Sequence, residues 1–156
     1  MLRVRKGLMG LAALATVAVP LSITAPAEAT RTTSGCTVTP LAPEFHNQWT
    51  SGGDKRIQYK LSVSCSAGRT IRMEMERWEA DWTSADDFIG ATVLFDSFTG
   101  GGGAVTRTVT ATLPDADPGG DHEEEMYHVV SFTVSSGGVT SPATAWDYSP
   151  TRTFHL

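Results

Sequence analysis

Apolar and polar residues alternate with a period of two in short segments separated by glycine-rich breaks, and this pattern restricts the fold more than any other feature of the chain. Between Ile57 and Cys65, the set Ile57, Tyr59, Leu61, Val63 and Cys65 interleaves with Gln58, Lys60, Ser62 and Ser64. Successive side chains of a strand point to opposite faces, so this segment reads as a strand with one buried and one wet face. The same pattern sets Ile71, Met73 and Met75 against Arg72, Glu74 and Glu76, with Ala67-Gly68 as the intervening turn. Three further rows are expected to face inward: Ile89, Ala91, Val93 and Phe95; Val105, Val109, Ala111 and Leu113; and Met126, His128, Val130, Phe132 and Val134. Weaker segments near 139–148 and 151–156 follow, and no helical period of useful length occurs after residue 30. The expected fold is all-β, an antiparallel β-sandwich of about seven strands.

The first 29 residues follow a different logic. Arg3, Arg5 and Lys6 precede an apolar stretch from Gly7 to Ile23, and Ala27-Glu28-Ala29 supplies the small residues that signal peptidase accepts. The apolar run contains Pro20 and is shorter than the roughly 20 residues a bilayer span needs. Residues 1–29 therefore read as a secretory signal peptide cleaved after Ala29, and 30–156 as a single secreted domain with no membrane association once cleaved. A chain of 156 residues has room for one such domain. Cleavage removes Arg3, Arg5, Lys6 and Glu28, leaving 9 basic against 16 acidic residues and a formal charge of −7. A phosphate backbone attracts proteins through Lys and Arg, so nucleic acid is not an expected partner. Anionic lipid surfaces are disfavoured for the same reason.

Two cysteines, Cys36 and Cys65, remain in the exported domain, and an even count in that setting reads as one disulfide. Their spacing supports the pairing. If residues 36–49 run antiparallel to 56–65 with Cys36 opposite Cys65, the turn falls at residues 50–51, beside Ser51-Gly52-Gly53-Asp54. Closing a loop of this length contributes about 3.6 kcal/mol through the entropy of the unfolded chain. Pro40 and Pro43 place the first of these strands at a sheet edge, because proline cannot donate to a ladder. Thr33-Ser34-Gly35-Cys36 is the rival, lipobox-like reading, but Thr33 stands where Leu is wanted and Cys36 lies a dozen residues beyond Ile23.

Leu113-Pro114 followed by a strand opening with Tyr127 is similar to the corner at which immunoglobulin-like domains place a buried tyrosine. With about seven short strands, the domain resembles an immunoglobulin-like or fibronectin type III-like sandwich. That resemblance implies two packed sheets and leaves the function open, since such sandwiches host many roles.

Chemistry-bearing residues fall into a few groups. The stretch Asp115–Glu125 holds six carboxylates, and Asp115, Asp117 and Asp121 have the spacing that opens an EF-hand loop. Gly119 and Met126 then stand where further calcium ligands belong, so a solvated loop is the expected outcome and no metal or cofactor is assigned. Among the tryptophans, Trp78 and Trp82 flank Glu79-Ala80-Asp81, and Trp146 lies near Tyr148. Exposed rings beside carboxylates suit sugar stacking, so Trp82, Trp78 and Trp146 are the candidate ligand-stacking residues. Core packing is the preferred expectation for Trp78, through a bulge near Arg77. His128 lies on an apolar row and reads as a buried histidine, while His46, His122 and His155 are scattered without metal-ligand spacing. No G-x-S-x-G elbow or phosphate-binding loop occurs, so no catalytic residue is assigned. The expected function is that of a secreted, non-enzymatic binding or interaction module whose partner is an extracellular protein or polysaccharide. A carbohydrate-binding module and a secreted hydrolase inhibitor are the specific alternatives.

Overall fold

The computed structural model describes residues 29–81, 85–114 and 123–155. The expected signal peptide, apart from Ala29, lies outside them, as do Trp82, Asp115, Asp117, Asp121 and His122. Ten strands and no helix occur among the described residues: β1 (Arg31–Thr33), β2 (Cys36–Trp49), β3 (Lys55–Cys65), β4 (Thr70–Glu79), β5 (Asp87–Ser97), β6 (Gly103–Thr112), β7 (Glu123–Ser136), β8 (Val139–Thr140), β9 (Asp147–Tyr148) and β10 (Arg152–His155). The chain is all-β, as its alternation predicts. No helix among these residues is long and apolar enough to cross a membrane.

Two antiparallel sheets form, one ordered β1-β2-β3-β6 and the other β10-β7-β4-β5, with β8 and β9 also paired to β7. The strand count exceeds the expected seven because β1 precedes Cys36 and the C-terminal segments break into β8, β9 and β10. Along one edge of β7 lies β4; along the other lie β10, β9 and β8 in turn, at Glu123–Met126, Val129–Val130 and Ser135–Ser136.

The core lies between the sheets. Cys36, Val38, Ile57, Tyr59, Leu61 and Val63 from the first sheet meet Ile71, Met73, Met75, Met126, Val130, Phe132 and Val134 from the second. Burying an aliphatic or aromatic side chain of this size contributes about 1.5–3 kcal/mol, which is why the period-two pattern dictates the layering. Cys36 stands directly opposite Cys65 on the β2–β3 ladder and is disulfide-bonded to it. The edge strand is β1, which corrects the expected edge place of β2 over Cys36–Val38; Pro40 and Pro43 lie beyond those three residues, where no described strand pairs with the outer edge of β2.

One predicted row is overturned. Arg77 pairs with Gly90 and Trp78 with Phe88, so Ile89 is an extra residue on β5. The bulge shifts the phase of the strand. Beyond it Thr92, Leu94 and Asp96 stand opposite the inward-facing Met75, Met73 and Ile71, whereas Val93 and Phe95 are exposed. Ile89 makes its expected contact with the core, and so does Leu94, for which unbroken alternation predicts the outer face.

The two open sides of the sandwich are each closed by an Arg–Asp pair. Arg107 on β6 grips Asp96 on β5, its Nε donating to both carboxylate oxygens at 2.8 Å. Arg31 on β1 donates to Asp147 Oδ1 on β9 through Nε at 3.0 Å and Nη2 at 2.8 Å. Both carboxylates are buried, and each raises the pKa of its arginine by hydrogen bonding and charge.

Candidate functional site

Of the three tryptophans that the sequence singles out, two meet on the outer face of the larger sheet. The inward residues of β4 near its end are Met75, Arg77 and Glu79, so Trp78 points away from the core. The β5 bulge adds its residue to the neighbouring strand and leaves the phase of β4 intact. Trp78 is therefore half-buried on the outer face, which corrects its expected place in the core. Trp146 and Tyr148 reach the same face through the segment following β8. That segment is pinned along β7 by hydrogen bonds from Thr144 N to Phe132 O, 3.0 Å, and from Ser149 N to His128 O, 2.9 Å.

Tyr127 lies directly opposite Trp78 on the β4–β7 ladder, and Tyr148 opposite Val129 on the β7–β9 ladder. Rings thus run across four strands. Phe88 meets Trp78 edge-on with centroids 5.2 Å apart, and Tyr127 stacks on Tyr148 at 6.1 Å and 25°. Three inter-strand steps of about 4.8 Å make this row about 14 Å long. Trp78, Tyr127, Trp146 and Tyr148 join Glu76, Asp86 and Val129 in lining a trough of about 310 Å³.

Two carboxylates orient the rings. Trp78 Nε1 donates to Glu76 Oε2 at 3.2 Å, and the Tyr127 hydroxyl donates to Asp86 Oδ2 at 2.6 Å. Burial, then the hydrogen bond to Asp86, raises the Tyr127 pKa above the ordinary phenol value, so the hydroxyl stays a donor. The immunoglobulin-like resemblance implies a buried ring at this residue. Tyr127 instead stands on the outer face.

Other candidates fall elsewhere. Trp49 is 55% exposed at the opposite end of β2, edge-on to Phe45 at 6.1 Å with Lys55 above its ring, and lines a separate groove with Arg152, Phe154 and His155. His128 is buried as expected. Its Nε2–H donates to Lys60 O at 3.2 Å and its ring meets Tyr59 edge-on at 5.5 Å. Burial pushes the imidazole pKa down to about 4, against the hydrogen bond to Lys60 and with the help of Arg77. His128 is thus a neutral core residue. Carboxylate oxygens of Glu79, Asp81 and Asp87 lie within 4.8 Å of one another, an acidic grouping distinct from the candidate set Asp115, Asp117 and Asp121. Its members come from two strands and a loop, so no local spacing announces it.

Sequence reasoning finds Trp78 and Trp146 but misses that Tyr127, Tyr148, Glu76 and Asp86 complete the site. The signal available is phase: Glu76, Trp78 and Tyr127 all sit on the polar phase of strands whose opposite phase is apolar. No protein-family description and no curated protein matches this chain.

Proposed function

We propose that this domain is a secreted, non-catalytic module that binds carbohydrate in the trough formed by Trp78, Tyr127, Trp146 and Tyr148. The observation that carries the reading is the convergence of four rings and two carboxylates in one trough on the outer face of the larger sheet. Ring faces cover the apolar C–H surface of a sugar, and carboxylates accept hydrogen bonds from its hydroxyls. Tyr148 is 57% and Trp146 38% exposed, so large apolar surface is left in contact with water where burial against the fold was available to other residues. The row of rings suits an extended chain of sugars more than a single one. Binding is favoured over hydrolysis because Glu76 and Asp86 are each engaged by a ring of the trough itself, an arrangement that fixes a platform.

The test is retention of the purified domain, residues 30–156, on chitin, cellulose and cell-wall polymer, followed by tryptophan fluorescence titration with soluble fragments of any polymer that retains it. Retention with a saturable fluorescence change, both weakened in Trp146→Ala, is the expected result. Absence of retention on every polymer, with fluorescence unchanged by the fragments, overturns the reading.

A further inference from the structure

The charge of the trough is as informative as its rings. Among the described residues its lining holds Glu76 and Asp86 and no Lys, Arg or His. Elsewhere, Glu44, Glu74, Asp96, Glu123 and Asp147 each meet a basic side chain: Lys60, Arg72, Arg107, His155 and Arg31. Glu76 and Asp86 form no such pair among the described residues. Their recorded donors are neutral: the Trp78 indole and the Tyr127 hydroxyl, with the Asp81 backbone N–H 3.3 Å from Asp86 Oδ1. The nearest arginine in sequence, Arg77, is turned into the core, where its guanidinium lies over the Tyr59 ring and donates to Thr92 Oγ1 at 2.7 Å.

A site with two negative charges and no compensating cation among the described residues repels an anionic ligand and attracts a cationic one. The π faces of Trp and Tyr act in the same direction, since the ring quadrupole draws a cation to the face. A sugar with a protonated amine would satisfy both features: its ring lies on the aromatic row and its ammonium donates to a carboxylate. A charge-assisted hydrogen bond is about twice as strong as a neutral one.

We infer that the trough selects amine-bearing sugars, such as glucosamine oligomers, over their N-acetylated counterparts and over uronic acids. The selection follows from the pairing of an aromatic row with Glu76 and Asp86. It rests on the carbohydrate-binding reading and narrows it to a ligand class.

The experiment is isothermal titration of the purified domain at mildly acidic pH with glucosamine oligomers, N-acetylglucosamine oligomers and galacturonate oligomers of equal length, and with choline. Wild type, Glu76→Gln and Glu44→Gln are compared. The amide introduced by Glu76→Gln keeps an acceptor for the Trp78 indole, so the platform survives the loss of charge; Glu44, on the other sheet, reports on net charge alone. The expected result is an affinity for glucosamine oligomers at least about tenfold above that for the N-acetylated set, a preference near 1.4 kcal/mol. Glu76→Gln removes most of that preference, Glu44→Gln leaves it, and galacturonate does not bind.

Equal affinity for free and acetylated oligomers overturns the selectivity and leaves carbohydrate binding standing. An equal loss in both glutamine variants also overturns it, since attraction would then come from the acidic domain as a whole. No affinity for any oligosaccharide overturns both readings, and binding of choline alone in that case assigns the trough to quaternary ammonium groups.

Discussion

Trp78 and Tyr127 stand directly opposite each other on the outer face of β4 and β7, and each is held by a different carboxylate, Glu76 for the indole and Asp86 for the phenol. Neither ring is free to swing, so the platform they form is organised before any ligand arrives. Pre-organised rings lose little side-chain entropy on binding, which makes them efficient stacking surfaces.

Removing a ring should therefore cost affinity with little effect on folding where the ring is exposed. Trp146→Ala is expected to weaken polysaccharide binding by about tenfold, in line with the roughly 1–3 kcal/mol of ring stacking seen for planar ligands, with a thermal midpoint close to wild type. Trp78→Ala is expected to weaken binding and lower the midpoint, because this ring also packs on Phe88. Titration and thermal melts of both variants check this; unchanged affinity in both would remove the trough from function.

His128 makes stability depend on pH in a defined direction. Its pKa in the fold is about 4, against an ordinary value of 6.5. Between those values the unfolded chain binds a proton that the folded chain refuses, so stability rises with pH through this window and is lost as pH falls from 6.5 towards 4. The contribution is on the order of 3 kcal/mol. Urea unfolding at a series of pH values should show this slope in wild type and a flatter one in His128→Leu; identical slopes would refute the assignment.

The pair Asp96–Arg107 is expected to matter more than its surface position suggests. The Asp96 side chain is only 5% exposed, so Arg107→Ala leaves a buried carboxylate short of its donors, at a cost of about 1–3 kcal/mol. The double variant Asp96→Ala/Arg107→Ala removes the stranded charge and should recover part of the loss. A thermal midpoint for the double variant at or below that of Arg107→Ala would contradict this account.

Gly90 tests the bulge that re-phases β5. Its φ is +153°, and a Cβ there would lie 2.7 Å from Arg77 Nη2, displacing the guanidinium from Thr92. Gly90→Ala is expected to cost about 1–3 kcal/mol of backbone strain. Equilibrium unfolding measures it, and a neutral substitution would show that the strand can shed the bulge.

Alternation alone determined which face of β3, β4, β6 and β7 is buried, because side-chain direction along a strand is a local property and burial rewards one phase. The pairing of Cys36 with Cys65 was legible too, from an even cysteine count and a turn signal near the midpoint, although register shifts between Leu41 and Glu44 and between His46 and Trp49 separate that turn from the disulfide. The phase of β5 was not. Only pairing against β4 reveals that Ile89 is an added residue, and one residue is enough to turn Val93 and Phe95 outward and Asp96 in towards Arg107. The trough lay equally beyond the sequence. Trp78, Tyr127 and Tyr148 are tens of residues apart, and sheet order and register alone bring them side by side. Local periodicity can say which face of a strand is apolar; which strands become neighbours is decided by how the whole chain closes its core.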